Sequence, residues 1–380
     1  MAWLRTLGLL SVTVTLASTA LGCDGEDAAG PTVTSLYAVP DDVGDLSEST
    51  FFEHPFPSEL RVVDERVRLA GYPNPKSVPL LDEYVSFIDG ELEGFSPVAA
   101  GFLRFDGALD AATLPGPLES TLPGASVQLI DVDPTSPERA RRIPIYVTFT
   151  AEEGIYVQPN TLAFMPVPGH VLRPLTRYAL VVTDAVRAEG GGEVVAAKEL
   201  RQVLGLDPPE TDAISALAAR LAADVSELGA AGVDGERVVH FTAFETSDPA
   251  RGFLLAAGDA ESIPSPSADP AAWELSASNQ DYDEYLGSYG PTPNYQTGTI
   301  PFESFGDGGG FAPDASGVPK PVGSFDARFS LVVPNQAECP EPSGGYPIVL
   351  YAHGTGGDYR SFVRDGTARA LAQRCLASMG

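Results

Sequence analysis

The chain has 380 residues, enough for two or three domains, and its 43% apolar content excludes wholesale disorder. Its 52 acidic residues against 23 basic ones give a net charge of −29, which excludes nucleic-acid binding because a polyphosphate would be repelled. The 39 glycines and 34 prolines predict many turns and short strands rather than a helical bundle, and the acid surplus reads as a solvated surface.

Residues 1–22 read as an export signal. Arg5 supplies the positive start, and Leu7 to Ala20 is an apolar stretch shorter than the ~20 residues a bilayer core demands. Ala20-Leu21-Gly22-Cys23, followed at once by Asp24, resembles a bacterial lipobox, although Ala20 stands where a larger aliphatic is usual. The resemblance makes Cys23 the lipidated first residue of an anchored protein of the Gram-negative type, periplasmic or at the cell surface. Plain secretion with an incidental cysteine is the alternative. Of the other two cysteines, Cys339 precedes one predicted strand and Cys375 starts another. Exported compartments permit a bridge between them, and two separate thiols are equally compatible.

Residues 23–50 are rich in acids, Gly, Ser and Thr without sustained periodicity, and read as a tether. From Phe51 the pattern is mainly β. Val98–Phe105, Ser126–Val132, Arg142–Thr150, Ile155–Pro159 and Arg177–Thr183 are β-prone runs between turn signals. In residues 211–228 the period changes. Ile214, Leu217, Leu221, Val225 and Leu228 fall at three- and four-residue spacings on one helical face, with Thr211 or Asp212 as cap. Arg237–Thr246 returns to strand alternation, so 51–247 reads as a β-sandwich with a helix inserted before its last strand. Leu172-Arg173-Pro174-Leu175-Thr176-Arg177-Tyr178 resembles a stretch of bacterial Ig-like domains, which implies a structural role for Tyr178.

A short helix is predicted from Pro249 to Ala260, within a span, 248–325, that otherwise reads as an irregular linker. Its run Asp307-Gly308-Gly309-Gly310 with Asp314 lacks the alternation of a calcium loop, so no metal is assigned. Arg328–Pro334 reads as a strand. Tyr346–Ala352 reads as a second strand, buried on both faces of a sheet because its apolar run is nearly unbroken. It ends in His353-Gly354-Thr355-Gly356-Gly357. A helical stretch, Asp358–Arg374, and a further strand, Cys375–Met379, complete a parallel α/β unit over 326–380. No Lys-Ser/Thr follows the glycines, which excludes a phosphate-binding loop.

An apolar strand ending in His-Gly resembles the oxyanion-hole strand of α/β-hydrolases. Acyl transfer builds negative charge on a carbonyl oxygen, and backbone N–H groups must already be aimed at it. The resemblance implies that Thr355 donates one such N–H, that Gly354 shapes the turn and that His353 orients the loop. No cofactor is implied.

The ordering of exported segment, Ig-like β-domain and hydrolase-like strand resembles bacterial surface lipases of the virulence-factor lipase type. That implies a mixed fold, a β-sandwich followed by the start of an α/β-hydrolase domain. It also implies an ester or lipid substrate and a Ser, His and acid triad. The sequence departs from the family in having no Gly-x-Ser-x-Gly. His54, His170 and His240 fall in the β-region and read as ordinary core or surface imidazoles. Two expectations follow. Either the chain is the N-terminal, separately inactive portion of an anchored carboxyl-ester hydrolase, or it is a non-catalytic lipoprotein whose Ig-like module binds or displays.

Overall fold

A computed structural model describes residues 30–299 and 309–380. Cys23, Asp307 and Gly308 lie outside the described residues. The chain is mixed and β-rich, and it divides into two units, the first ending at Asp248 and the second beginning at Pro249.

In the first unit β1 (Val33–Leu36) is followed by the two-residue strands β2 (Val62–Val63) and β3 (Arg66–Val67), then helix α1 (Pro79–Ile88). Strands β4 (Gly101–Phe105), β5 (Val127–Asp131), β6 (Arg142–Ile143), β7 (Ile145–Thr150), β8 (Thr161–Pro166), β9 (Arg177–Thr183) and β10 (Val194–Val195) come next. Helices α2 (Lys198–Val203) and α3 (Asp212–Ala230) precede β11 (Val238–Glu245). One sheet has the order β10-β1-β4-β8-β7 and a second has β11-β9-β5-β6.

The two sheets share a core, and side-chain alternation explains how. Leu103 and Phe105 of β4 and Leu162 and Phe164 of β8 meet Leu129 of β5 and Tyr178, Leu180 and Val182 of β9. The intervening residues of β9, Ala179 and Val181, point the other way into a second core with Leu200 and with Ile214, Leu217, Leu221 and Leu228 of α3. β9 is therefore buried on both faces, as its unbroken apolar sequence requires. Thr211 caps α3 by accepting from the Ile214 N–H at 3.2 Å. Arg177 ties α3 to the sheet through Asp224 at 2.6 Å and reaches Glu59 at 3.0 Å.

Three expectations for this unit need correction. The tether of residues 23–50 contains β1, whose Val33 and Ser35 are buried and which pairs parallel with β10 and antiparallel with β4. Only long-range partners make those four residues a strand. Ile155–Pro159 is not a strand; Ile155 and Tyr156 are exposed, and the strand is Thr161–Pro166. Arg142–Thr150 is two strands. Pro144, which has no N–H to donate, separates β6 in one sheet from β7 in the other.

The second unit opens with α4 (Arg251–Glu261), followed by β12 (Glu274–Ser278), β13 (Tyr282–Asn294), β14 (Gly323–Pro334) and β15 (Ile348–Leu350). Helices α5 (Ser361–Arg364) and α6 (Thr367–Ala372) lead to β16 (Ala377–Met379). The sheet order is β12-β13-β14-β16-β15. The span 248–325, expected to be an irregular linker, contains α4, β12, β13 and the start of β14, and its strands form an antiparallel meander. β13 pairs with β14 from Tyr282↔Pro334 to Asn294↔Gly323, with a register shift between Tyr289 and Thr292. Its Tyr, Gly, Ser and Pro content conceals a strand whose order comes from that long partner. A second correction concerns β15. It pairs with β16 alone, and Ile348 and Leu350 are 52% and 76% exposed, so it is an edge strand rather than one buried on both faces.

Candidate functional site

The turn singled out by sequence lies at the C-terminal end of β15. β15 and β16 are parallel, in register Ile348↔Ala377 to Leu350↔Met379, and α5 and α6 cross between them. The Tyr351 N–H continues the ladder by donating to the Met379 carbonyl at 2.7 Å. The backbone then leaves the sheet, and His353, Gly354 and Thr355 are all exposed.

The turn closes on Gly354, whose carbonyl accepts from the Gly357 N–H at 3.0 Å and lies 2.9 Å from His353 Nδ1. That contact ties the imidazole to the loop's own backbone. The glycines that the conformation requires are not the one expected. Gly354 has open space where a Cβ would stand, so a side chain fits there. Gly356 has φ +80°, and a Cβ on Gly357 would come within 2.8 Å of the His353 Cβ.

The far end of the turn is anchored by a buried carboxylate. Glu284 of β13 is 1% exposed, and Arg360 donates to it twice, Nε to Oε1 and Nη2 to Oε2, both at 2.9 Å. Ser330 of β14 donates to Oε1 at 2.8 Å. The paired carboxylate raises the Arg360 pKa. Next to it, Asp358 accepts from the Arg360 N–H and from Arg364 Nη2 at 2.7 Å, and chiefly the Arg364 bond holds its carboxyl below the usual range. Below the turn, the Tyr351 and Phe362 rings lie 5.6 Å apart in a small core with Val332 and Ala368. Tyr351 donates its hydroxyl to Asp365 at 2.9 Å, which raises the tyrosine pKa. Gly366, at φ +88°, divides the single helical stretch expected over 358–374 into α5 and α6.

Chemically this is a short, glycine-dependent backbone turn with both flanks fixed: one by the sheet ladder, the other by a salt-bridged arginine. Sequence reasoning found the turn but missed Glu284, Ser330 and Arg360. Glu284 and Arg360 are 76 residues apart, and neither belongs to a local pattern.

Cys339 and Cys375 form a disulfide with Cα atoms 5.4 Å apart. Of the other histidines, His54 and His240 are buried in the first unit and His170 is exposed. Burial lowers the pKa of His54 and of His240 to about 3, and for His54 the nearby Arg61 cation adds to the effect. Among the described residues no cluster of His, Cys, Asp or Glu has the makings of a metal site.

No family model matches the chain, and no curated relative does. Among solved structures, domains 1–6 of the surface layer protein SbsC align at 8% identity and TM-score 0.19, over 63% of this chain and 22% of that one. Native alpha-2-macroglobulin from Escherichia coli, spanning domains MG0-NIE-MG1, aligns at 9% identity and TM-score 0.19, over 64% of each chain. This chain therefore spans less than two thirds of either neighbour's length, and likenesses this slight carry no argument about function.

Proposed function

We propose that the second unit is the opening portion of a serine carboxyl-ester hydrolase fold, acting on an ester or lipid substrate, with His353–Gly357 as its oxyanion turn. The observation that carries this reading is the parallel β15–α5–α6–β16 unit with the turn at the C-terminal end of β15. In open α/β sheets that is where ligands bind. In this role Thr355 donates its backbone N–H to the developing oxyanion, while Gly356 and Gly357 allow the bend. His353, Glu284 and Arg360 are positioning residues.

The first unit fits the Ig-like part of the same proposal. Tyr178 is fully buried, and its hydroxyl accepts from the Arg173 N–H, five residues upstream, at 3.0 Å. A tyrosine bonded back to the upstream backbone supports an Ig-like corner. We further propose export and membrane anchoring through a lipidated Cys23, a setting in which the Cys339–Cys375 disulfide is chemically at home.

The 380 residues contain no Gly-x-Ser-x-Gly, so the reading requires that this polypeptide by itself does not turn over esters. The test is hydrolysis of p-nitrophenyl acetate and butyrate by the purified chain, together with the DNA sequence beyond the Gly380 codon. The expected result is no rate above background and an in-frame serine elbow downstream. Esterase turnover by the purified chain would overturn the assignment. A stop codon directly after Gly380 would favour the second reading, a non-catalytic anchored module, which the missing serine motif supports.

A further inference from the structure

The first unit contains an apolar cavity of about 240 Å³ whose walls include Phe56, Leu69, Ile88, Phe164 and Leu172. No lining residue carries a charge at neutral pH. It exceeds the ~150 Å³ apolar hole that accepts benzene. The cavity shares Phe56, Tyr72 and Ala100 with a second depression, of about 420 Å³, lined by Phe51, Phe52 and Phe102. The two adjoin at these three residues as one apolar tract.

Helix α1 contributes to both parts, Ile88 to the first and Leu81 to the second. No residue of α1 is fully buried, and Leu80 and Phe87 are 53% and 63% exposed. The exposed positions of the helix mix the acids Asp82 and Glu83 with the large apolar side chains Leu80 and Phe87, so apolar surface lies at the rim of the tract as well as inside it.

Electrostatics narrows the occupant. Gly94 lines the cavity and also a neighbouring depression that carries Glu59, Glu65, Glu93 and Glu245 against Arg66 and Arg177. Both arginines are engaged, Arg66 with Glu93 at 3.1 Å and Arg177 with Glu59 and Asp224. An anionic head group at that end meets surplus negative charge, whereas a neutral hydroxyl or ester does not. We propose that the tract binds the hydrocarbon chain of a single-chain, uncharged amphiphile, such as a fatty alcohol or a fatty acyl ester. This site lies wholly in the first unit and does not rest on the hydrolase reading.

The test is calorimetric titration of the full chain with 1-decanol and with decanoate at pH 8 and low salt. Saturable decanol binding is expected at one per chain, with decanoate at least tenfold weaker. Ala100→Trp fills the junction of the two depressions, and Leu92→Asp charges a lining position that is 37% exposed. Each is expected to weaken decanol binding at least tenfold while far-UV circular dichroism stays unchanged. Leu118→Ala, at a 78% exposed position outside the tract, is expected to bind as the parent does. Absence of saturable decanol binding, parental affinity in either folded tract variant, or decanoate binding as tightly as decanol would each overturn the proposal.

Discussion

Replacing Arg360 with alanine strips Glu284, which is 1% exposed, of its ion-pair partner and leaves only the Ser330 hydroxyl bonded to it. Removing one member of a buried ion pair costs about 3–5 kcal/mol. The Arg360 side chain is 36% exposed, so water enters as the guanidinium leaves and the cost falls at the lower end, about 3 kcal/mol. Glu284→Gln acts differently. It keeps the volume and a partner for Ser330, and Arg360 is exposed enough to turn toward water, so only charge-assisted bonds are lost, about 1–2 kcal/mol. Urea unfolding of a Trp3→Phe background reads the second unit directly, because Trp273, packed edge-on against Phe329, is then the one tryptophan. With an m-value of about 2 kcal/mol/M, Arg360→Ala lowers the midpoint by about 1.5 M and Glu284→Gln by under 1 M. The double variant Arg360→Met/Glu284→Leu recovers most of the loss, since a hydrophobic pair carries no desolvation penalty. If Glu284→Gln costs more than Arg360→Ala, or the double variant costs the sum of the two, the stranded-carboxylate argument is refuted.

Reducing the disulfide or replacing both Cys339 and Cys375 with serine opens a loop of 36-residue separation. The chain-entropy relation puts the loss at about 4 kcal/mol, read by Trp273 fluorescence in urea with and without reductant. In the first unit, His54 and His240 stay neutral when folded down to a pKa of about 3, whereas unfolded imidazoles take up a proton near 6.5. Stability is therefore full above pH 6.5 and falls by roughly 1.4 kcal/mol per pH unit for each histidine as the pH drops from there toward 3. Far-UV circular dichroism in urea at pH 7 and pH 5 measures the slope, and His240→Leu should halve it. Tyr178→Phe removes the acceptor of the Arg173 N–H and is expected to cost about 1–2 kcal/mol by the same readout, with an unchanged midpoint counting against the structural role.

Elements that carry their own pattern are legible in the sequence. Arg177–Thr183 is a strand in every residue, and α3 follows its three- and four-residue apolar spacing from the Thr211 cap. The order of strand, glycine turn, helix and strand is also local, which is why the candidate turn could be found. What distant partners create is not legible. β1 exists because Val194 and Phe105 flank it, and β13 because β14 lies beside it. Polarity hid Glu284, since one acid among Asp281, Asp283 and Glu284 gives no sign that an arginine 76 residues later will pair with it.

Pro144 has a consequence for how the first unit can come apart. The chain passes from one sheet to the other across that single residue, with β6 ending at Ile143 and β7 starting at Ile145. A hinge needs slack, and one prolyl residue with a fixed φ supplies almost none. Opening the sheets at this corner would tear Ile143 or Ile145 from the shared core, so local fluctuation there is coupled to loss of the whole unit. Amide hydrogens on Ile145 and on Leu129, which lies opposite Ile143, should exchange with the same protection and the same dependence on denaturant.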